Sequence, residues 1–271
     1  MEKYLTTANE LIEKTKIPLM VMNTPADVHV EYAVQMISEI IENNKNNKNT
    51  VFILPCGPIE QYGIFTKFVN RLKIDLKNTY FIHMDEYVDE NENLIPDSDE
   101  FSFKKCMNEC LYSQIDEDLI MPEDHRIFPD PEKLDEIPNK ITELGGVDIA
   151  FGGVALNGHI AFNEPQASLT VEEYKELSTR IVELSAETRI KDAILSRGGA
   201  VETVPRKAIT IGIKEILGAK KVRLSMMLDM QRAVIRKACL GEVSSDCPVS
   251  LIQNHPDAAL MVAKTVTEKP F

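Results

Sequence analysis

Between Phe151 and Pro165 the chain reads FGGVALNGHIAFNEP, an apolar run that breaks into a turn carrying more than a turn requires. Gly152, Gly153 and Gly158 let the backbone bend sharply and approach a ligand. His159 belongs to the residue type that exchanges protons near neutral pH, and Glu164 is near enough in sequence to fold back and fix its tautomer. A loop histidine held by a carboxylate can serve as a general acid or base. The plainer reading is a turn whose His and Glu are merely solvated.

Three other stretches hold candidate groups. In HMDEY, His83 to Tyr87, the carboxylates Asp85 and Glu86 follow an apolar strand, so one can face a cleft while the other faces away. A single carboxylate raised in pKa by partial burial suffices to take a proton from beside a carbonyl. An acidic strand end without chemistry is the alternative. LPCGPIEQ, Leu54 to Gln61, reads as strand, glycine turn and helix start, the arrangement that offers backbone N–H groups to an anion. It lacks the GxxxxGK[ST] spacing of a Walker loop, Pro58 removes a donor, and Glu60 is acidic where a phosphate would want a neutral residue. MQRAVIRKACLG carries Arg232 and Arg236 four apart on one helical face, where Arg232 can grip an acidic group or simply face water. Cys106 and Cys110 share a helical face beside Phe103, which reads as packing.

The elements that must position these groups alternate. PLMVMN, VFILPCGP, TYFIHMDEY, VDIAFGGV, AITIGI, KVRLSMML and AALMVAKTV read as strands, separated by segments of helical period. The helix ADVHVEYAVQMISEIIENN is expected to place Val30, Val34, Ile37, Ile40 and Ile41 on one apolar face. EEYKELSTRIVELSAETRIKDAIL reads as partly helical. The expectation is an α/β fold: one doubly wound, mostly parallel sheet of about six or seven strands, in a single domain over 1–271. In such sheets ligands bind beyond the carboxyl ends of the strands, and the three motifs at 54–61, 83–87 and 152–165 all fall there.

Composition narrows the function. The 271 residues, 44% of them apolar, can bury an ample core. A formal net charge of -13, from 30 basic and 43 acidic residues, repels polyanions and argues against nucleic-acid or membrane-surface partners. Five cysteines without a CxxC and an N-terminus without a basic, then apolar, leader point to a cytoplasmic protein with reduced thiols. Five scattered histidines suggest no metal site.

GHIAFNEP, preceded in the chain by MDEY, resembles the glucosamine-6-phosphate deaminase/isomerase family. The likeness continues through VPRKAITIGIKEIL, QRAV and NHPDAALMV and so covers most of the chain. Related 6-phosphogluconolactonases share the glycine turn, but FNEP is on the deaminase side. The resemblance implies a modified Rossmann-like sheet and an aldose to ketose isomerisation of an amino-sugar phosphate such as glucosamine 6-phosphate, with release of ammonia. It implies no cofactor, and it allows a homo-oligomer. By the same resemblance Asp85 is the base that moves a proton between C2 and C1, Glu86 its neighbour, His159 the group that opens the sugar ring, and Glu164 its carboxylate partner.

The departures from the family pattern are local. Asn157-Gly158-His159 stands where the family has Asp-Gly-His, which leaves Glu164 as the anionic support of the imidazole. Cys56-Gly57-Pro58-Ile59-Glu60 replaces a turn rich in hydroxyl donors, so Cys56 and Gly57 take the substrate-binding places. Arg232 stands for a lysine on the late helix. A lid arginine has no counterpart: Ile194 is near its place and Arg197 is the nearest substitute. Two other readings accompany the enzyme: a non-catalytic sugar-phosphate binding protein, and a lactone hydrolase in which the histidine activates water.

Overall fold

The structure is a computed structural model and describes residues 2–271. Its strands are β1 Leu19–Met22, β2 Thr50–Leu54, β3 Thr79–His83, β4 Asp85–Val88, β5 Arg126–Ile127, β6 Ile149–Gly153, β7 Arg180–Glu183, β8 Lys207–Thr210, β9 Lys221–Met226 and β10 Ala258–Ala263. Its α-helices are α1 Ala8–Lys14, α2 Pro25–Lys45, α3 Glu60–Leu72, α4 Phe103–Cys110, α5 Glu136–Glu143, α6 Val171–Lys175, α7 Ala186–Ser196, α8 Ile213–Leu217 and α9 Arg232–Leu240.

Seven strands form one sheet in the order β1-β10-β9-β6-β2-β3-β5, every neighbouring pair parallel. β2 (TVFIL) and β10 (AALMVA) are buried at every position. Strands covered by helices on both faces become continuous apolar runs of this kind. The chain moves outward from β2 to β3 and β5, then returns to lay β6 on the other side of β2. The carboxyl ends of β2 and β6 therefore diverge at a topological switch point, where a doubly wound sheet opens a crevice.

The structure corrects three expectations. TYFIHMDEY is two strands: the chain leaves the large sheet at Met84, whose N–H donates to the Leu54 carbonyl and whose carbonyl accepts from Ile211 N–H. β4 then pairs antiparallel with β8, and β8 with β7, in a separate three-stranded sheet. The AITIGI strand thus belongs to this second sheet, and in the segment read as partly helical β7 lies between α6 and α7. Alternation of apolar residues reports an extended chain, not the sheet that receives it.

The third correction is the face of α2. The helix starts with a capping box between Thr24 and Asp27 and has Pro25 in its first turn. Its buried stripe runs through Val28, Tyr32, Met36 and Ile40, with Ala33 and Ile37, whereas Val30 and Val34 are exposed. Tyr32 stacks on Phe151 of β6 at 4.5 Å between ring centroids, so the aromatic bulk sets the rotation of the helix. No helix among the described residues is long and apolar enough to cross a membrane.

Candidate active site

A cleft of about 670 Å³ opens at the switch point, and Asp85 and His159 both line it. Its walls come from the loop after β2, the start of β4, the turn after β6 and one face of α7. Close packing at its floor depends on glycine: a side chain at Gly153 would meet the Gly57 carbonyl oxygen at 3.1 Å.

Asp85 opens β4, and its backbone is fixed by pairing opposite Thr210. The side chain is buried, and burial together with the adjacent Glu86 charge pushes its carboxyl up to about 8. Lys191 pulls in the opposite direction, and Asp192 adds a further push upward. A carboxylate so held binds a proton weakly enough to release it near neutral pH and strongly enough to abstract one from carbon.

Alternation along β4 sends the next carboxylate the other way. Glu86 does not line the cleft. It accepts hydrogen bonds from the N–H groups of Tyr87 (2.9 Å), Phe103 (3.0 Å) and Lys104 (2.8 Å), and from the Ser102 hydroxyl (3.3 Å). Phe103 and Lys104 are the first residues of α4, so Glu86 neutralises that helix start. His83, in the same motif, is a core residue: burial lowers it to about 3, with its ring stacked on Phe128 and bonded to the Tyr112 hydroxyl.

His159 is held from several sides. Its Nδ1 lies 3.2 Å from Glu164 Oε2 and 3.4 Å from the Thr188 hydroxyl, and its backbone N–H donates to Asn157 Oδ1. With Nδ1 engaged, Nε2 is the nitrogen that can exchange a proton in the cleft. Glu164 is itself crowded by donors: Asn157 Nδ2 at 2.8 Å, the Thr188 hydroxyl at 2.5 Å and Ser185 N–H at 3.2 Å. Burial works to raise Glu164, but the hydrogen bond and charge of His159, with the bonds from Thr188 and Asn157, outweigh it and hold the carboxyl at about 2. Asn157 thus supports the histidine through Glu164, by donating the hydrogen bond that an aspartate could not give.

Thr188, Lys191 and Asp192 were absent from the sequence-derived candidates. They share a face of α7 because they are three and four residues apart, and Lys191 and Asp192 line the cleft. Lys191 Nζ sits 2.5 Å from Asp192 Oδ1, and Asp192 Oδ2 accepts from the Tyr87 hydroxyl at 2.9 Å. The signal available in the sequence was S-AET, a serine three residues before Thr188 that caps the helix and fixes which face looks inward.

The expected substrate-binding residues divide. Cys56 and Gly57 line the cleft. The Cys56 thiol is pushed well up by its hydrogen bond with Cys106 and by burial, which keeps it neutral. Arg197 and Arg232 do not line it. Arg197 lies over the Phe101 ring and pairs with Asp99 at 3.2 Å and Glu100 at 3.6 Å. Arg232 donates to the Thr265 carbonyl and pairs with Glu268 at 3.0 Å and Asp229 at 3.1 Å. In each case nearby carboxylates capture the guanidinium. Arg236 is fully buried and spends its donors on the carbonyls of Thr6, Arg232 and Thr267. Among the described residues no group of three or more His, Cys, Asp or Glu side chains is arranged to hold a metal ion.

No protein-family model matches the chain. It is 34% identical over 221 residues to a glucosamine-6-phosphate deaminase of Lachnoclostridium phytofermentans, spanning 79% of this chain and 86% of that protein. It is 30% identical over 256 residues to one of Caenorhabditis elegans, spanning 92% and 90%. Among solved structures, a monomeric glucosamine-6-phosphate deaminase superposes with a TM-score of 0.80 at 24% identity, covering 92% of this chain and 98% of that one. A 6-phosphogluconolactonase from Trypanosoma cruzi gives 0.65 at 16%, covering 92% and 95%. These two structural likenesses establish the shared fold.

Proposed function

The chain belongs to the glucosamine-6-phosphate deaminase family, and from that premise we propose that it converts an amino-sugar phosphate such as glucosamine 6-phosphate into the corresponding ketose phosphate with release of ammonia. The observation that carries the reading is that Asp85 and His159 open onto one cleft. His159, held in one tautomer by Glu164, takes the proton of the anomeric hydroxyl and returns it to the ring oxygen, so that the C1–O5 bond breaks and an aldehyde forms. Asp85 then removes the C2 proton. The C–H electrons form the C1–C2 double bond, and the carbonyl oxygen takes up a proton. Asp85 returns a proton to C1, leaving an iminium at C2. Water adds at C2 and ammonia departs, so one water is consumed for each ammonia released.

Support for these roles comes from burial and charge. Asp85 is raised to about 8 and stands beside Lys191, whose positive charge favours the ionised base. Glu164 stays ionised to about 2, so it remains an anion beside His159 while the imidazole gains a proton.

The test is an assay of ammonia and ketose release over glucosamine, galactosamine and mannosamine, each with and without a 6-phosphate. Turnover of at least one sugar is expected, and Asp85→Asn should lower it by about 10³-fold. Silence on the whole panel, or full activity in Asp85→Asn, would remove the reading. Hydrolysis of a lactone needs no base at carbon, so an Asp85→Asn variant that still opened lactones would point to the hydrolase instead.

A further inference from the structure

We propose that Cys56 and Cys106 form an oxidation site in the wall of the cleft, where peroxide converts two thiols into a disulfide that ties the loop after β2 to α4 and slows turnover. This goes beyond the deaminating reading, and the bond itself can be detected without any turnover.

Spacing along the chain accounts for only part of the arrangement. Cys106 and Cys110 lie one turn apart on α4, and the fold brings a third sulfur to them. Cys56 Sγ lies 3.9 Å from the carbonyl oxygen of Phe103, the first residue of that helix. Helical side chains lean toward the N-terminus, so Cys106 covers the turn that Phe103 opens and faces the same loop. Cys56 and Cys106 accordingly line one cleft, and both are partly exposed, within reach of a molecule as small as peroxide. The remaining cysteines are enclosed. Cys239 and Cys247 are buried in the core, and burial pushes both thiols up.

The three clustered thiols are not equivalent. The thiols of Cys110 and Cys56 donate to the Cys106 sulfur, which holds it well below the ordinary thiol range, while its two donors are pushed up. The thiolate is the nucleophilic form, so Cys106 is the attacking sulfur. It displaces hydroxide from peroxide: an S–O bond forms, the O–O bond breaks, and the hydroxide takes up a proton and leaves as water. The Cys56 sulfur then attacks the sulfenyl sulfur. The S–S bond forms, the S–O bond breaks, and the departing hydroxide leaves with the Cys56 proton as a second water. Both sulfurs are oxidised and both peroxide oxygens reduced.

The new bond bears on the reacting groups from two sides. A disulfide holds its sulfurs closer than two thiols in contact, so the loop and α4 must draw together. The first turn of α4 is bonded to Glu86, the neighbour of Asp85. The Gly57 carbonyl packs against Gly153, at the end of the strand that leads to His159. A displacement of about 1 Å at a reaction centre can cost about 10²-fold in rate.

The experiment treats the reduced full chain with a small excess of hydrogen peroxide and maps the linked peptides by mass spectrometry under non-reducing conditions. It follows kcat/KM for glucosamine 6-phosphate before treatment, after it, and after dithiothreitol. Two of the five thiols should disappear, a peptide pair should join Cys56 to Cys106, and kcat/KM should fall by about tenfold or more and recover on reduction. Cys106→Ser should run at one rate with and without peroxide, and Cys110→Ser should still form the link, more slowly. Five intact thiols, or a link that joins Cys106 to Cys110 instead, overturns the proposal. A Cys56–Cys106 link that leaves kcat/KM unchanged overturns its bearing on turnover. Should the reduced chain turn over no sugar while that link forms, the deaminase reading fails and the oxidation site stands.

Discussion

The two ends of the cleft are built on different terms. At the Asp85–His159 end the acidic and basic groups are buried and answered: the side chains of His159 and Glu164 are only 6% and 11% exposed, and Glu164 alone receives donors from Asn157, Thr188, Ser185 and the imidazole. At the Cys56–Glu60 end the charged group stands in water, with Glu60 67% exposed. A change in the buried end orphans a partner, which costs far more than the loss of one solvated contact. A change at the rim costs little. Reaction type is thereby tied to the fold more tightly than the identity of the sugar.

The hardest blow to this contrast would come from His159→Gln. If the imidazole opens the ring, kcat should fall by about 10² to 10⁴ with native circular dichroism retained. A loss below about threefold would leave the network without a catalytic purpose.

Next in size is the coupling of α7 to the base. With Asp85 at about 8, kcat/KM should decline as pH drops below that value, because the protonated form cannot accept a proton. Lys191→Met removes the charge that favours the ionised base and should shift the midpoint upward by about one unit, a roughly tenfold loss at neutral pH. An unmoved midpoint would mean that Lys191 does not feel Asp85.

Stability offers a third comparison, since the two carboxylates are perturbed in opposite directions. The folded-state pKa of Asp85, about 8, lies above its ordinary 3.8, so the native state holds a proton that the unfolded chain gives up. Its contribution is complete below the ordinary value and is lost as pH rises through about 8. Asp85→Asn should therefore raise Tm by a few degrees at pH 9. Glu164 is the reverse: its folded value of about 2 lies below 4.5, so its contribution is present above 4.5 and disappears as pH falls through about 2. Glu164→Gln should lower stability by about 2 to 3 kcal/mol at pH 7 and by much less at pH 2, read from urea titrations. Parallel behaviour of the two variants would contradict the opposed environments.

The smallest effect is expected at the two displaced arginines. Arg197→Met and Arg232→Met should each change kcat/KM by no more than about twofold, because surface ion pairs of this kind carry little energy and neither side chain lines the cleft. A loss of about tenfold or more in either would show that the guanidinium reaches the ligand.

Much of this molecule was legible along the chain. The order of strands and helices followed from apolar periodicity, and the cleft's position followed from glycines placed at strand ends, because both are local properties of backbone and side-chain type. The pairing of His159 with Glu164 was legible for the same reason, five residues being a short reach. Three matters needed the tertiary structure. The sheet switch at Met84, which fixes that Asp85 and not Glu86 looks into the cleft, depends on hydrogen bonds to Leu54 and Ile211, residues far away in sequence. The presence of Lys191 and Asp192 beside Asp85 depends on how α7 is laid across the cleft. The diversion of Arg197 and Arg232 depends on carboxylates that fold next to them. A sequence determines which charges a protein owns and which backbone shapes its short segments prefer. Which charges meet is decided by packing, since Coulomb attraction acts through distances that only the folded chain sets.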